Sequence, residues 1–205
     1  MQVTAKKGRG TKMHISADEQ YVLTVTADFW YAQGIAQGAE LDDAQWADFC
    51  ERAQNAKALE KALNLLTFRD HSQKELERKL ARVTDKDAAQ YAAQRVAKMG
   101  FVDDARYAQR LAEELVRRKG MAPRRIKQEL LSRGVAKDDI DAALEALPFD
   151  AAERIAHLLE TKFKKIPETP KEQKRMFDTL VRLGYDYSDI RSALREYAAD
   201  DDYDD

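Results

Sequence analysis

Residues 117–130 read RRKGMAPRRIKQEL, and this stretch separates two helical patterns by a short break. Gly120 can end the first helix, because glycine readily adopts the left-handed conformation that terminates helices. Pro123 can open the next helix, because an N–H in the first turn has no partner within the helix. Arg and Lys lie on both sides of the break. The stretch therefore predicts a tight turn followed by a basic helix, the local form of a helix-turn-helix.

This pattern belongs to a repeat with a period of 50 residues. When the sequence is shifted against itself by 50 residues, apolar positions align with apolar positions and basic positions with basic positions. The same shift aligns Gly134 with Gly184. A period near 50 with helical patterns between the matches predicts one helical unit that occurs three times in series. The aligned sets are Leu76, Ile126 and Met176; Leu80, Leu130 and Leu180; and Lys74, Arg124 and Lys174.

Each unit divides into three helices. In the middle unit they span about residues 103–119, 123–134 and 137–147, with Gly or Pro at their ends. The second helices of the outer units begin with Ser72-x-x-Glu75 and Thr169-x-x-Glu172, which fit the capping box. We therefore expect a mostly α protein of three tandem three-helix, helix-turn-helix-like repeats in an elongated curved array.

A small β-hairpin is expected ahead of the helices. The segment 21–26 is rich in β-branched and aromatic residues, and the turn ADEQ (17–20) can fold it back onto residues 13–15. The first long helix should begin near Asp42 and Asp43, since acids suit the positive end of a helix dipole. The predicted segments are an N-terminal β-hairpin extension (1–40), repeat one with a lead-in helix (41–100), repeat two (101–148), repeat three (149–197) and an acidic tail (198–205).

The net charge of −2 conceals a strong segregation of charge along the chain. Residues 1–12 carry four basic side chains and no acid, residues 13–56 carry eight acids and one Arg, and the last ten residues carry six acids. Residues 69–137 hold 18 Lys and Arg against 10 Asp and Glu, a net charge of +8. Blocks of one sign usually lie on solvated or partner-facing surface. We therefore expect residues 69–137 to present a basic binding surface.

Groups suited to catalysis are few, and we expect no enzyme, no metal site and no cofactor. His14, His71 and His157 lie far apart without ligand spacing, and Cys50 is the only cysteine. Glycine-rich phosphate loops are missing, and the carboxylate pair 103–104 fits a helix N-cap. The single cysteine, the lack of a signal peptide and the lack of an apolar run of about 18 residues predict a cytoplasmic protein without a membrane segment.

The basic side chains form stripes along the predicted helices. Arg106, Arg110 and Arg117 share one face of the first helix of repeat two, because their spacings return to similar angles at about 100° per residue. On the next helix, Arg124 and Arg125 are expected to point outward. Opposite charges are expected to be scarce on these stripes, so the solubility of a helix surface accounts for them poorly.

Three motifs, in this order and spacing, resemble the bacterial regulatory protein RecX family. The first is R-x-x-S-x-x-E-L-x-x-K-L at residues 69–80, and the second is GFVDDARYA at residues 100–108. The third is K-G-x-x-x-R-R-I-x-x-E-L-x-x-x-G-V at residues 119–135. The match is close over residues 58–147 and looser over 148–197, where Phe177 and Thr179 occupy positions that are charged in the other repeats. Residues 1–40 and the tail lie outside the motifs.

The resemblance implies a non-enzymatic regulator of the RecA recombinase. RecX proteins are similar in being tandem three-helix repeats that lie in the groove of the RecA–DNA filament, and they lower RecA ATPase, strand exchange and coprotease activity. The implied context is recombination, DNA repair and the SOS response, with RecA, its filament and weak non-specific DNA contacts as partners of a monomer. The residues expected to contact acidic RecA surface or phosphate are Arg69, Lys74, Arg78, Arg106, Arg110, Arg117, Lys119, Arg124, Arg125 and Lys127.

Two other functions stay open at this point. A sequence-specific helix-turn-helix transcription regulator would read one operator through Arg124, Arg125 and Gln128. A helical-repeat scaffold would bind an unrelated protein. A series of repeats favours a long surface for an extended partner over a single probe for one DNA groove.

Overall fold

The computed structural model describes residues 1–163 and 169–201 of the chain. Its contacts divide the chain into two compact units, Met1–Val102 and Asp103–Asp205. The finer division into five segments stays a prediction.

The first unit opens with a four-stranded antiparallel sheet. The strands are β1 (Gln2–Lys7), β2 (Lys12–Ala17), β3 (Gln20–Thr26) and β4 (Ala39–Glu40), in the order β3-β2-β1-β4. The predicted hairpin is confirmed as β2 and β3, joined by Asp18 and Glu19, which both have positive φ as a two-residue hairpin turn requires. The strands β1 and β4 extend this hairpin into a four-stranded sheet. The sequence pattern does not indicate β1, because Val3 is its only buried side chain.

A long helix covers the apolar face of this sheet. A short helix, α1 (Ala27–Ala32), follows β3, and α2 (Asp43–Leu66) begins at Asp42, whose carboxylate accepts from the Gln45 backbone in a capping box. The helix start near Asp42 is therefore confirmed. The Phe49 side chain of α2 is fully buried, 6.0 Å from the ring of Trp30 and 5.5 Å from that of Trp46. These rings form the core between sheet and helix.

The remainder of the first unit is a three-helix set made of α2, α3 (Gln73–Leu80) and α4 (Lys86–Lys98). The Ser72 hydroxyl caps α3 by accepting from the Glu75 backbone at 3.0 Å. Leu76 and Leu80 are fully buried against alanines of α2 and α4. Alanine leaves little side chain between the helices, so their backbones approach closely and the core is thin.

The second unit holds two further three-helix sets. The first consists of α5 (Asp104–Lys119), α6 (Pro123–Ser132) and α7 (Lys137–Glu145). The second consists of α8 (Ala151–Leu158), continued by a π-helical turn (Leu159–Phe163), α9 (Pro170–Arg182) and α10 (Tyr187–Asp201). The helix α10 runs into the segment predicted as an acidic tail, and residues 202–205 lie outside the described ranges.

The side chains that repeat every 50 residues form the cores of the three sets. Every member of the two apolar series is 2% exposed or less. The mostly α fold with three-helix units and a small N-terminal sheet is therefore confirmed. The two series are Leu76, Ile126 and Met176, and Leu80, Leu130 and Leu180.

Candidate partner-binding surface

Arg69 lies in the loop between α2 and α3, where Glu75 holds its side chain. Its Nη2 donates to Glu75 Oε1 at 2.5 Å, and its Nη1 donates to Glu75 Oε2 at 3.2 Å. The Arg69 side chain is 44% exposed and that of Glu75 is 15% exposed. Forked pairs of this kind fix geometry as well as adding energy. Arg69 therefore shapes the loop while part of its guanidinium stays accessible to a partner.

The buried side chain of His71 connects the same loop to Lys79 of α3. The residue is 3% exposed, with Nδ1 at 2.9 Å from the Arg69 carbonyl oxygen and Nε2 at 3.0 Å from Lys79 Nζ. Because an ammonium can only donate, Nε2 accepts from Lys79 and Nδ1–H donates to Arg69. Burial, followed by the charges of Arg69 and Lys79, lowers the pKa of His71 below its ordinary value. The imidazole is therefore neutral at neutral pH and acts as a structural connector.

Two candidate residues extend from α3 on the side away from its buried leucines. Lys74 and Arg78 are both exposed, and Arg78 Nε donates to the Lys74 carbonyl at 3.2 Å. The Lys74 ammonium makes no ion pair with any described residue. It is therefore available to an acidic or phosphate partner without losing an existing contact.

The helix α5 carries the predicted cationic stripe on its solvent side. Arg106, Arg110, Arg117 and Lys119 are all exposed. Within the described ranges, Arg106, Arg117 and Lys119 have no ion-pair partner. Lys119 is the last residue of the helix, where a cation also suits the negative end of the dipole. The sequence prediction therefore corresponds here to an exposed surface with available positive charge.

The helix α6 differs from the prediction, because each of its three candidate cations has a carboxylate partner. Arg124 Nη1 is 3.6 Å from Asp186, Arg125 Nη2 is 2.9 Å from Glu129, and Lys127 Nζ is 2.6 Å from Asp141. The hydrogen bond from Lys127 lowers the pKa of the Asp141 carboxyl. The expectation that opposite charges are scarce is therefore wrong for α6. Asp141 on α7 and Asp186 before α10 are far from α6 in sequence, so no local pattern indicates that they pair with Lys127 and Arg124.

Arg125 is also less exposed than expected, since it lies where repeats two and three meet. A Cβ on Gly184 would be 2.7 Å from both the Cβ and the backbone nitrogen of Arg125. The Arg125 side chain is 40% exposed, against 70% for Arg124. Arg124 therefore points outward as expected, whereas Arg125 is partly covered because its backbone and Cβ pack against the turn before α10.

Two hydrogen bonds to backbone carbonyls connect the turn before α6 with repeat three. The Ala122 N–H donates to the Leu183 carbonyl at 2.8 Å, and the Tyr185 hydroxyl donates to the Gly120 carbonyl at 3.0 Å. Burial raises the pKa of Tyr185 to about 12. We call these contacts of residues 120–125 with Leu158 and 183–185 the repeat seam. The seam covers one side of the N-terminal end of α6.

Other reactive groups in the described ranges offer no alternative site. Burial raises the pKa of the Cys50 thiol, which makes its nucleophilic thiolate form scarcer at neutral pH. No cluster of three or more His, Cys, Asp or Glu residues suited to a metal ion occurs among the described residues. Likewise, none of the helices in the described part of the chain is long and apolar enough to span a bilayer.

Two family models match this chain within its helical repeats. The model for the first three-helix domain of RecX matches residues 58–95, and the model for the second three-helix domain matches residues 103–144. The Regulatory protein RecX of Stenotrophomonas maltophilia (strain R551-3) is 36% identical over 155 residues, which cover 73% of this chain and 92% of that protein. The Regulatory protein RecX of Clostridioides difficile (strain 630) is 23% identical over 205 residues, which cover 98% of this chain and 97% of that protein.

Solved structures share the same fold. A crystal structure of regulatory protein RecX matches with a TM-score of 0.66 at 22% identity, covering 93% of this chain and 97% of that one. The crystal structure of RecX from Lactobacillus salivarius matches with a TM-score of 0.57 at 20% identity, covering 71% and 97%. Both domain models and the relative at 36% identity lead to one conclusion: this chain belongs to the RecX family of regulatory proteins.

Proposed function

We propose that this chain binds RecA and the RecA–DNA filament and lowers the ATPase, strand-exchange and coprotease activities of RecA. It would thereby restrain recombination, DNA repair and the SOS response from the cytoplasm, as a monomer that acts by binding and not by catalysis. Membership of the RecX family supports the regulatory role. The similar three-helix cores support the presentation of a similar helical surface by each repeat.

The observation that carries the proposal is a set of exposed cations on α3 and α5 that form no ion pair with any residue in the described part of the chain. Lys74, Arg106, Arg117 and Lys119 keep their charge available to acidic protein surface or to phosphate. These cations can therefore attract an acidic partner without first breaking an ion pair. Long-range electrostatic attraction also raises the rate of association. Further contacts would come from the remaining candidates in the loop before α3 and on α3, α5 and α6, namely Arg69, Arg78, Arg110, Arg124 and Lys127, with Arg125 positioning its neighbours.

The ion pairs on α6 are compatible with this role. Exposed ion pairs are weakened by solvent and salt and contribute little to stability, so Arg124 and Lys127 can exchange their carboxylates for a partner at little cost. Arg125 is a different case, because its backbone belongs to the repeat seam. We therefore assign Arg125 a positioning role and leave direct contact to its exposed neighbours.

A sequence-specific DNA-reading function receives less support from the same geometry. A recognition helix inserts its N-terminal residues into the major groove, so that end must be accessible. In this chain Ala122, the N-cap of α6, is 3% exposed and hydrogen-bonded to Leu183. Repeat three therefore occupies part of the space that a DNA groove would need.

The proposal is tested by titrating the full chain into RecA that hydrolyses ATP on single-stranded DNA. We expect the hydrolysis rate to fall at or below one chain per RecA. An unchanged rate at a clear molar excess would overturn the proposal. Selection of random duplexes on the immobilised chain tests the alternative, since a transcription regulator would enrich one sequence motif.

A further inference from the structure

The first unit contains a groove that the proposed function does not use. It has a volume of about 580 Å³ and lies between α2 and the end of the sheet formed by β2 and β3. Val25, Phe29 and Ala53 give it an apolar floor. No residue of the candidate partner-binding surface lines it.

The rim of this groove is cationic. Lys12 comes from the start of β2, while Lys57 and Lys61 come from α2, four residues and about 6 Å of helix rise apart. Lys12 and Lys57 are exposed and Lys61 is half-buried, and none of the three forms an ion pair with another described residue. Glu60 is the single acid in the lining.

The register of the sheet explains why positive charge collects at this end. Lys12 pairs with Thr26 and Lys7 with Met13, so both lysines lie at the end of the sheet that borders the groove, where Lys12 is part of the lining. The acidic turn at 18–19 and the pairing of Gln2 with Glu40 lie at the opposite ends of the same strands. Lys7 and Lys12 are therefore separated in space from Asp18, Glu19 and Glu40, whereas Asp28 follows Thr26 at the same end of the sheet as Lys12.

Protection of an open sheet edge does not account for this arrangement. β3 is an edge strand, and lysines on edge strands discourage pairing with other chains. However, Lys57 and Lys61 belong to a helix and face the groove with Lys12. Small-molecule pockets are mostly apolar and contain a few polar groups. A groove with lysines at its rim and threonines in its lining does not match that description. A cationic rim over an apolar, aromatic floor is typical of sites that follow a nucleic-acid strand.

We propose that the groove between β2–β3 and α2 binds the phosphate backbone of a nucleic-acid strand, with Lys12, Lys57 and Lys61 on the phosphates and Phe29 against sugar or base. This site lies outside the surface assigned to RecA. Binding at this site does not require RecA, so the proposal is tested with nucleic acid alone.

The first test compares two charge-matched triple variants of the full chain by fluorescence anisotropy with a labelled single strand and with its duplex. Lys12→Gln/Lys57→Gln/Lys61→Gln should bind at least about tenfold more weakly at about 50 mM salt, with a salt slope reduced by about 2 for the single strand. The control Lys86→Gln/Lys98→Gln/Lys137→Gln removes three exposed lysines elsewhere and should bind like the unmodified chain. Equal affinities of the two triple variants, or no binding by the unmodified chain, would overturn the proposal. Stronger binding of the single strand than of the duplex identifies the strand form that the groove takes.

The second test looks for a gain of binding, which misfolding cannot produce. Glu60→Gln removes the one acid in the groove and should tighten binding at least about twofold. Glu51→Gln makes the same charge change on an exposed part of α2 outside the lining and should have a smaller effect. Equal effects of the two substitutions would show that total charge, and not the groove, determines binding, and would sink the assignment.

Discussion

Gly184 lies against Arg125 with no space for a side chain between them: a Cβ at 184 would be 2.7 Å from both the Cβ and the backbone nitrogen of Arg125. Gly184 also has φ +97°, a conformation that suits glycine. The turn before α10 and the first turn of α6 are therefore fitted backbone to backbone. This contact links the repeat with the candidate cations to the repeat that follows it.

The first prediction concerns this contact. Gly184→Ala should lower the free energy of unfolding by about 1–2 kcal/mol from the left-handed backbone and by about 1–3 kcal/mol more from overpacking against Arg125. Gly100→Ala is the control, because Gly100 has φ +79° and nothing within 4 Å of its added Cβ. Urea unfolding of both variants measures the difference. Equal losses would mean that the seam relaxes easily and that the close fit is unimportant for stability.

The second prediction separates core from surface within one helix. Leu130 is fully buried and Leu131 is 50% exposed, so adjacent leucines of α6 offer a matched pair. Leu130→Ala should destabilise the protein by about 2–5 kcal/mol through lost burial and a cavity. Leu131→Ala should change stability by only about 0.5 kcal/mol. Similar losses in thermal or urea unfolding would contradict the alignment that makes Leu130 a core position of the repeat.

The third prediction is a pH dependence that originates from His71. Its folded-state pKa is lowered from the ordinary 6.5, so above pH 6.5 the imidazole is neutral in both states and its contribution to stability is complete. As the pH falls below 6.5, the unfolded chain takes up the proton first, and stability is lost progressively through the lowered pKa. Urea unfolding between about pH 7.5 and 5 should show this loss.

The control for that prediction is a substitution suggested by the repeat itself. Met121 occupies the position 50 residues after His71, so His71→Met is a change that this fold already accommodates. The variant should lose less stability on acidification than the unmodified chain. His157→Met, at an exposed position, should keep the original dependence. An unchanged pH dependence in His71→Met would show that other groups cause it.

The core of the fold was predictable because burial repeats in the sequence. Leu76, Ile126 and Met176 recur at a fixed spacing, and all three are buried. The hairpin and the start of α2 also follow local rules, namely β-branched alternation and an acidic N-cap. Signals of this kind depend only on consecutive residues, so they can be recognised without knowledge of distant contacts.

Apart from the local ion pair between Arg125 and Glu129, the features that sequence reasoning missed depend on partners distant in the chain. β1 is a strand because it pairs with β2 and β4, and its own residues signal this weakly. Arg125 is half-buried because Gly184 lies against it, which the basic pattern of α6 does not reveal. The exposed stripe of α5 was predictable from helical periodicity alone. The pairing of α6 with Asp141 and Asp186 was not, since these residues lie on α7 and in the turn before α10.

The central claim is that the exposed cations of α5 bind the RecA filament. The most direct measurement is RecA ATPase on single-stranded DNA, titrated with Arg106→Gln/Arg117→Gln and with the control Arg191→Gln/Arg195→Gln, which removes two exposed arginines from α10. Each Arg lost from a partner contact should cost about 1 kcal/mol or more, so the first variant should need roughly tenfold or more protein for half-inhibition. The control should inhibit like the unmodified chain. Equal inhibition by both variants would contradict the claim.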